Sequence, residues 1–136
     1  MVKFRLFILS LILGTSCLFA QNKSKIFIDA ANVNTFVHEI HQENSKKFLV
    51  NNEDEIEQMK RFLKNNVFFI QFKNLPDAVT GKLSNFSAIN KRYVQEKFDP
   101  KSFNPFLYNL DQISEPEKIH IDGTRYVLFV YPISQD

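Results

Sequence analysis

Cysteine is nearly absent from this sequence, which limits how its fold can be held together. Cys17 is the only cysteine among 136 residues, so no disulfide can form within the chain. The fold must therefore depend on its apolar core, and a chain of this length can bury enough surface for one independent domain.

Glycine is scarce as well, which argues against nucleotide binding. Beyond the N-terminal segment only Gly81 and Gly123 occur, and they are far apart. Phosphate-binding loops need clustered glycines, so neither a P-loop nor a Rossmann site is expected. The G-x-S-x-G nucleophile elbow of many hydrolases is missing too, although a triad that assembles only in space would leave no such motif.

Positive charge is in surplus only near the N-terminus. The chain has 17 Lys and Arg against 15 Asp and Glu, and without Lys3 and Arg5 the two signs balance. A balanced surface lacks the basic patch that nucleic acid or anionic lipid requires, so no nucleic-acid partner is expected.

Residues 1–20 have the pattern of an export signal. Two basic residues precede the apolar run 6–13, and small residues follow it. This run is too short to cross a bilayer, which takes about 20 apolar residues. We expect cleavage between Ala20 and Gln21, so that the mature chain is 21–136, without a transmembrane segment and periplasmic or secreted.

A lipid anchor is the alternative fate of the N-terminus. The Leu-Gly-Thr-Ser-Cys run that ends at Cys17 loosely resembles the lipobox of bacterial lipoproteins. Gly14 stands where that box usually has leucine, and apolar Leu18 and Phe19 follow the cysteine instead of a polar tether. A cleaved signal peptide is therefore favoured over a lipid anchor at Cys17.

Apolar periodicity predicts two helices in the first half of the mature chain. Apolar residues recur at three- and four-residue spacing over 33–43 and over 53–64. The second helix has Asn52 as its expected N-cap and Glu55 in capping-box position. Short apolar runs predict strands at 25–29, at 46–50 and at 67–72, the last apolar on both faces and therefore expected at the centre of a sheet. The strand, helix and strand from 46 to 72 could form a parallel crossover.

A β-hairpin is predicted at the C-terminal end of the chain. Two apolar runs within 117–131 flank Asp122-Gly123, a pair typical of a two-residue type I′ turn. This turn would place His120 opposite Arg125. The second strand is expected to be buried on both faces.

The region 74–116 has a weaker pattern that prolines interrupt. A helix is predicted over 87–97, and a short one is predicted to begin at Asn104-Pro105 with the asparagine as its cap. All these elements together predict one α+β domain over 21–136, with a mostly antiparallel sheet, two to four helices packed on it and a C-terminal hairpin.

Three histidines are the candidate metal ligands. His38 and His41 are three residues apart on a predicted helix, so both rings could reach one ion, with His120 as a third ligand. Their spacing departs from the zinc-binding helix motif, which separates its histidines by four residues. Zn is therefore the cofactor of an alternative hypothesis only, and the favoured interpretation has surface histidines and no cofactor.

An aromatic-rich stretch between 85 and 110 is the second candidate site. Large apolar side chains in an irregular segment either fold onto the core or face a partner. Six of them could form a surface that binds an envelope protein or a peptide: Phe86, Tyr93, Phe98, Phe103, Phe106 and Tyr108.

The absence of common catalytic signatures favours a small exported soluble domain that binds without catalysis, as an interaction module of the cell envelope or secretome. The alternative is a metal-dependent or hydrolytic enzyme that uses His38, His41 and His120. Whether the protein is an enzyme stays open at this point.

Overall fold

The computed structural model describes residues 24–77, 79 and 81–134. Three α-helices lie in the first half of this part of the chain. They are α1 (Val33–His41), α2 (Ser45–Asn51) and α3 (Glu53–Asn65). The helices predicted over 33–43 and 53–64 are confirmed. The predicted signal peptide, its cleavage site and Cys17 lie outside the described residues.

The strand predicted at 46–50 is wrong, because these residues belong to helix α2. The segment has three apolar residues, of which only Val50 is β-branched, and it is enclosed by a 3₁₀ turn (Gln42–Asn44) on one side and α3 on the other. Phe48 and Leu49 pack against the core, while Val50 is 73% exposed. Burial of one helical face thus outweighs the local preference for a strand.

Four strands form one mixed sheet in the order β1-β4-β3-β2. The sheet consists of β1 (Val67–Gln71), β2 (Gly81–Lys82), β3 (Glu117–His120) and β4 (Tyr126–Val130). β4 pairs antiparallel with β1 and β3, whereas β2 pairs parallel with β3. The α+β class and the mostly antiparallel sheet are therefore confirmed.

Strand β1 lies at one edge of this sheet, so its predicted central position is wrong. It is apolar on both faces because helices cover one face while aromatic side chains cover the other, where Phe68 stacks on Phe129 with ring centroids 5.2 Å apart. The predicted strand at 25–29 is reduced to a single antiparallel bridge between Ile26 and Phe69. No parallel crossover connects these segments, since residues 45–51 are helical.

The C-terminal hairpin is confirmed, but its turn differs from the prediction. The Ile121 amide donates to the Tyr126 carbonyl at 3.1 Å, which leaves a four-residue loop instead of two residues. Of the loop residues, Gly123 alone has a positive φ, 75°, whereas a type I′ turn needs two. His120 consequently pairs with Val127 instead of Arg125.

The helix predicted over 87–97 is wrong, since the structure has only a 3₁₀ turn at Lys91–Tyr93. The Asn90 side chain accepts from the Arg92 amide at 3.1 Å, which favours a turn over a continued helix. The short helix after Asn104 is confirmed as a 3₁₀ helix, Pro105–Tyr108. Asn104 caps it by accepting from the Phe106 amide at 3.1 Å.

One hydrophobic core joins these elements. Its fully buried side chains come from α1, α3, the strands and the segment after Asn104, and the largest are Phe36, Phe62, Phe69, Leu63, Leu107, Leu110, Ile119 and Leu128. Across the described ranges, no helix has the length and apolarity needed to span a membrane.

Candidate functional site

The two helix histidines are near each other in sequence but have different partners. The His38 ring lies 3.4 Å from the Ser45 hydroxyl, measured from Nδ1 to Oγ. The His41 ring stacks on Phe48, with centroids 4.0 Å apart and planes 18° apart. Each ring is thus held by its own neighbour on α2.

His120 lies on strand β3 and closes the hairpin loop. Its Nε2 is 2.6 Å from the Thr124 carbonyl oxygen. Within 24–77, 79 and 81–134, no three His, Cys, Asp or Glu side chains form a group that could hold a metal ion. The zinc hypothesis for His38, His41 and His120 stays a prediction, and no gathered ligand set in these ranges supports it.

The six aromatic residues of the irregular segment divide between core and surface. Phe103 and Phe106 are buried, at 3% and 5% exposure. The other four are half-buried, and they are Phe86, Tyr93, Phe98 and Tyr108. Part of this segment therefore belongs to the core, and the rest lines recesses at its surface.

A narrow recess of about 170 Å³ opens beside this segment, and we call it the aromatic recess. Tyr93 and Tyr108 lie at its wall, and Tyr108 stacks on Phe103 with centroids 5.5 Å apart. Burial raises the pKa of the Tyr108 hydroxyl above its ordinary value of 10.0. The other apolar residues that line the aromatic recess are Leu83, Val94, Phe98, Leu107 and Ile121.

A wider recess of about 540 Å³, which we call the open recess, adjoins the first and shares Leu83, Val94, Tyr108 and Asp122 with it. The Asp122 carboxylate accepts from the Ser84 amide at 2.8 Å and from the Ser84 hydroxyl at 3.1 Å. This contact ties the hairpin loop to the 3₁₀ turn at Leu83–Asn85. Lys91 and Ser87 add polar groups to the same recess.

A third cavity, of about 420 Å³, lies on the helical side of the molecule, and we call it the helix cavity. It shares no lining residue with the other two. Its apolar lining includes Ile40, Phe48, Met59, Phe62 and Phe106, and its polar lining includes His41, Glu55, Gln58, Asn109, Asp111 and Gln112.

Two carboxylates give the helix cavity its charge. Burial raises the pKa of the Asp111 carboxyl above its ordinary value of 3.8, although a hydrogen bond to its own backbone acts in the opposite direction. Glu55 was predicted to complete a capping box with Asn52. The Asn52 amide donates instead to the Phe48 carbonyl at 3.0 Å, and the Asn52 side chain makes no capping hydrogen bond, so the capping box does not form. Glu55 lines the helix cavity.

Sequence reasoning missed both acids of the helix cavity. Glu55 had a sufficient explanation in its helix, and Asp111 lies in a 3₁₀ turn (Leu110–Gln112) within a region without periodicity. No signal in the sequence brings these two positions together, because they are far apart in the chain.

Comparison with known protein families, with curated proteins and with solved structures found no match for this chain. The site is therefore interpreted from its own chemistry.

Proposed function

We propose that the protein is an exported, non-catalytic binding module that recognises an extended peptide segment of a partner protein. The observation that carries this proposal is the pairing of the narrow aromatic recess with the wider open recess beside it. Binding by a preformed surface agrees with the absence of common catalytic motifs from the sequence.

The size of the aromatic recess favours a single side chain as its occupant. Ligand pockets for whole small molecules usually measure about 300–1,000 Å³, and this recess measures about 170 Å³. A large apolar side chain that enters such a pocket is the usual anchor of an interface. Leu83, Phe98 and Ile121 offer it an apolar lining.

The adjoining open recess suits the backbone on either side of that anchor. Peptide N–H and C=O groups need hydrogen-bond partners when they lose water. Ser87 and Lys91 are donors at its surface, whereas the Asp122 carboxylate is already engaged by Ser84. A peptide with one large apolar residue and uncharged neighbours fits these recesses best.

A pair of exposed valines gives a matched test. Val94 is 41% exposed and lines both recesses, whereas Val50 is 73% exposed on α2 and lines neither. Displayed random peptides selected against the exported protein should share one large apolar residue. Val94→Lys should weaken a selected peptide by about tenfold or more, the expected cost of losing an anchor contact, and Val50→Lys should leave its affinity unchanged.

Two results would contradict the peptide proposal. Selected peptides without a common apolar residue would remove the anchor, and equal binding by Val94→Lys would place the contact elsewhere. Amide chemical shifts of Tyr93, Tyr108 and Ile121 should move on titration with the peptide, while those of α2 should not.

Export itself is part of the proposal and has its own test. Expressed with its leader in a bacterial host, the protein should leave the cytoplasm with Gln21 as its first residue, as intact mass would show. Ala20→Arg should prevent cleavage at this position, because the export protease needs a small residue there. Acyl chains found on Cys17 would instead establish the lipid anchor.

A further inference from the structure

We propose that the helix cavity binds a second ligand, a small organic cation with an apolar body and a protonated amine. This site is separate from the peptide site, because none of its lining residues belongs to the aromatic recess or the open recess. Its volume of about 420 Å³ lies within the range of about 300–1,000 Å³ that small-molecule sites occupy.

The apolar side of the cavity is built from helices and from the 3₁₀ segment that packs on them. Phe62 and Phe106 are nearly fully buried and hold each other in place, with ring centroids 5.6 Å apart. Met59 is half-buried beside them, and its flexible thioether can adapt to ligands of different shape. This surface would receive an aliphatic chain or one ring.

An aromatic pair also lines this cavity. The His41 ring stacks on Phe48 at 4.0 Å, and this pair presents one flat unit instead of two mobile side chains. The face of an aromatic ring attracts a cation that lies within about 6 Å of its centroid. The face of the Phe48 ring that His41 does not cover would therefore favour a positive charge.

Apart from the His41 imidazole, the ionisable groups that line the cavity are acidic. Glu55 and Asp111 line it, and no lysine or arginine does. Among the described residues the only ion pair joins Lys60 to Glu57, at 3.3 Å, so neither acid of the cavity has a basic partner there.

Burial raises the pKa of the Asp111 carboxyl, as expected for a carboxylate that has lost water without gaining a cation. A bound ammonium group would supply that missing charge through charge-assisted hydrogen bonds. The same carboxylates would repel an anionic ligand.

A set of three probes of nearly equal shape tests the charge requirement. The 2-phenylethylammonium ion, 2-phenylethanol and phenylacetate share one ring and a short chain but carry positive, zero and negative charge. Calorimetric titration of the exported protein should show binding of the ammonium ion about tenfold tighter than that of the alcohol, and no binding of phenylacetate. Equal affinity for all three, or binding of none, would overturn the proposal.

Matched variants then locate the charge. Asp111→Asn and Glu55→Gln should each weaken the ammonium ion about tenfold and leave the alcohol unchanged. Glu53→Gln is the control for Glu55→Gln, because both acids lie in the first turn of α3 but Glu53 does not line the cavity. A control variant that weakens the ammonium ion equally would show a general charge effect and overturn the site.

A further substitution covers the case in which the acid variants fold poorly. Gln58 is exposed at the cavity, so Gln58→Lys should fold normally while it places an ammonium group beside the carboxylates. This variant should lose binding of 2-phenylethylammonium and retain binding of the selected peptides. Retained binding of the ammonium ion would contradict the cation site, and the peptide result distinguishes that failure from failure of the proposed function.

Discussion

Gln42 connects α1 to the turn before α2 with a backbone conformation that non-glycine residues rarely adopt. Its φ is 51° and its ψ is −116°, a conformation that glycine reaches without a steric penalty. Such a conformation costs about 1–3 kcal/mol in other residues. His41, the residue before it, lines the helix cavity, so this strain lies next to a candidate binding site.

Replacing Gln42 with glycine should relieve this strain and stabilise the protein. Gln42→Gly should raise the free energy of unfolding by about 1 kcal/mol, since the relieved strain exceeds the extra entropy that glycine brings to the unfolded chain. Gln42→Ala is the control, because alanine keeps the strained conformation, and it should stay within about 0.5 kcal/mol of wild type. Urea denaturation measures both, and a destabilised Gln42→Gly variant would contradict the strain.

The two faces of the sheet should respond differently to loss of an aromatic ring. Phe69 is fully buried and contacts Phe98 and Phe103 edge-on, whereas Phe129 is half-buried on the opposite face and stacks on Phe68. Phe69→Ala should cost about 3–5 kcal/mol. Phe129→Ala should cost only about 1–2 kcal/mol, for partial burial and one aromatic pair. Chemical denaturation giving the reverse order would place the core on the other face.

The half-burial of Phe129 corrects the expectation that the second hairpin strand is buried on both faces. A run such as 126–130 is apolar throughout, and its alternation cannot reveal that only one of its faces is covered by helices. Val127, Leu128 and Val130 are fully buried as expected, but Phe129 is not. The cost of each substitution depends on what lies above the sheet, which is a property of the tertiary structure.

At the scale of elements, strand β2 depends on the absence of a side chain at Gly81. A Cβ atom at this position would lie 2.9 Å from the Lys118 carbonyl oxygen, which belongs to the neighbouring strand and cannot move easily. Gly81 pairs with Ile119 in the parallel register. The edge strand and its pairing therefore require glycine here.

Gly81→Ala should detach β2 from the sheet and destabilise the protein by about 1–3 kcal/mol, as expected for overpacking against backbone. Amide hydrogen exchange should accelerate in β2 and in the facing side of β3. Gly123→Ala is a useful comparison, since nothing lies within 4 Å of its Cβ position and only its φ of 75° opposes the change. Exchange in β2 that is unaffected by Gly81→Ala would show that the strand tolerates a side chain.

Elements were predictable where local pattern and tertiary packing agree. Helices α1 and α3 follow from apolar spacing, and the 3₁₀ helix Pro105–Tyr108 follows from its Asn104-Pro105 start. Helix α2 was predicted as a strand because its short apolar run, Phe48-Leu49-Val50, fits either structure. The hairpin register could not be obtained from Asp122-Gly123 either, since the Asp122 carboxylate is engaged by Ser84, a contact between distant parts of the chain.

At the scale of the whole molecule, two half-buried acids affect stability in the same direction. Burial raises the pKa of Glu39 above 4.5, although a hydrogen bond from Asn104 and the charge of His38 act in the opposite direction. Burial also raises the pKa of Asp111 above 3.8. A carboxyl whose folded pKa is raised contributes stability below its unfolded pKa and loses that contribution as the pH rises through the folded value.

Asp111→Asn should therefore stabilise the protein at neutral pH but not in acid. Its advantage over wild type should be absent below pH 3.8, the ordinary value of the group, and should grow as the pH rises through the raised pKa. It should reach at most about 1 kcal/mol, since solvent screens a half-exposed charge. Denaturation with urea at several pH values checks this, with Asp77→Asn as the exposed control. An advantage that is larger in acid would reverse the sign and contradict the argument.

The sequence by itself determined the α+β fold class of this protein and the balance of its charge. Apolar spacing specified α1, α3, β1 and the two hairpin strands, and the single cysteine left the fold to its core. Tertiary structure alone decided which face of each strand is covered, how 45–51 folds, and which acids meet at the helix cavity. The physical reason is range: periodicity reflects contacts between near neighbours, whereas Glu55 and Asp111 line one cavity only because the core brings α3 and the 3₁₀ turn at Leu110–Gln112 together.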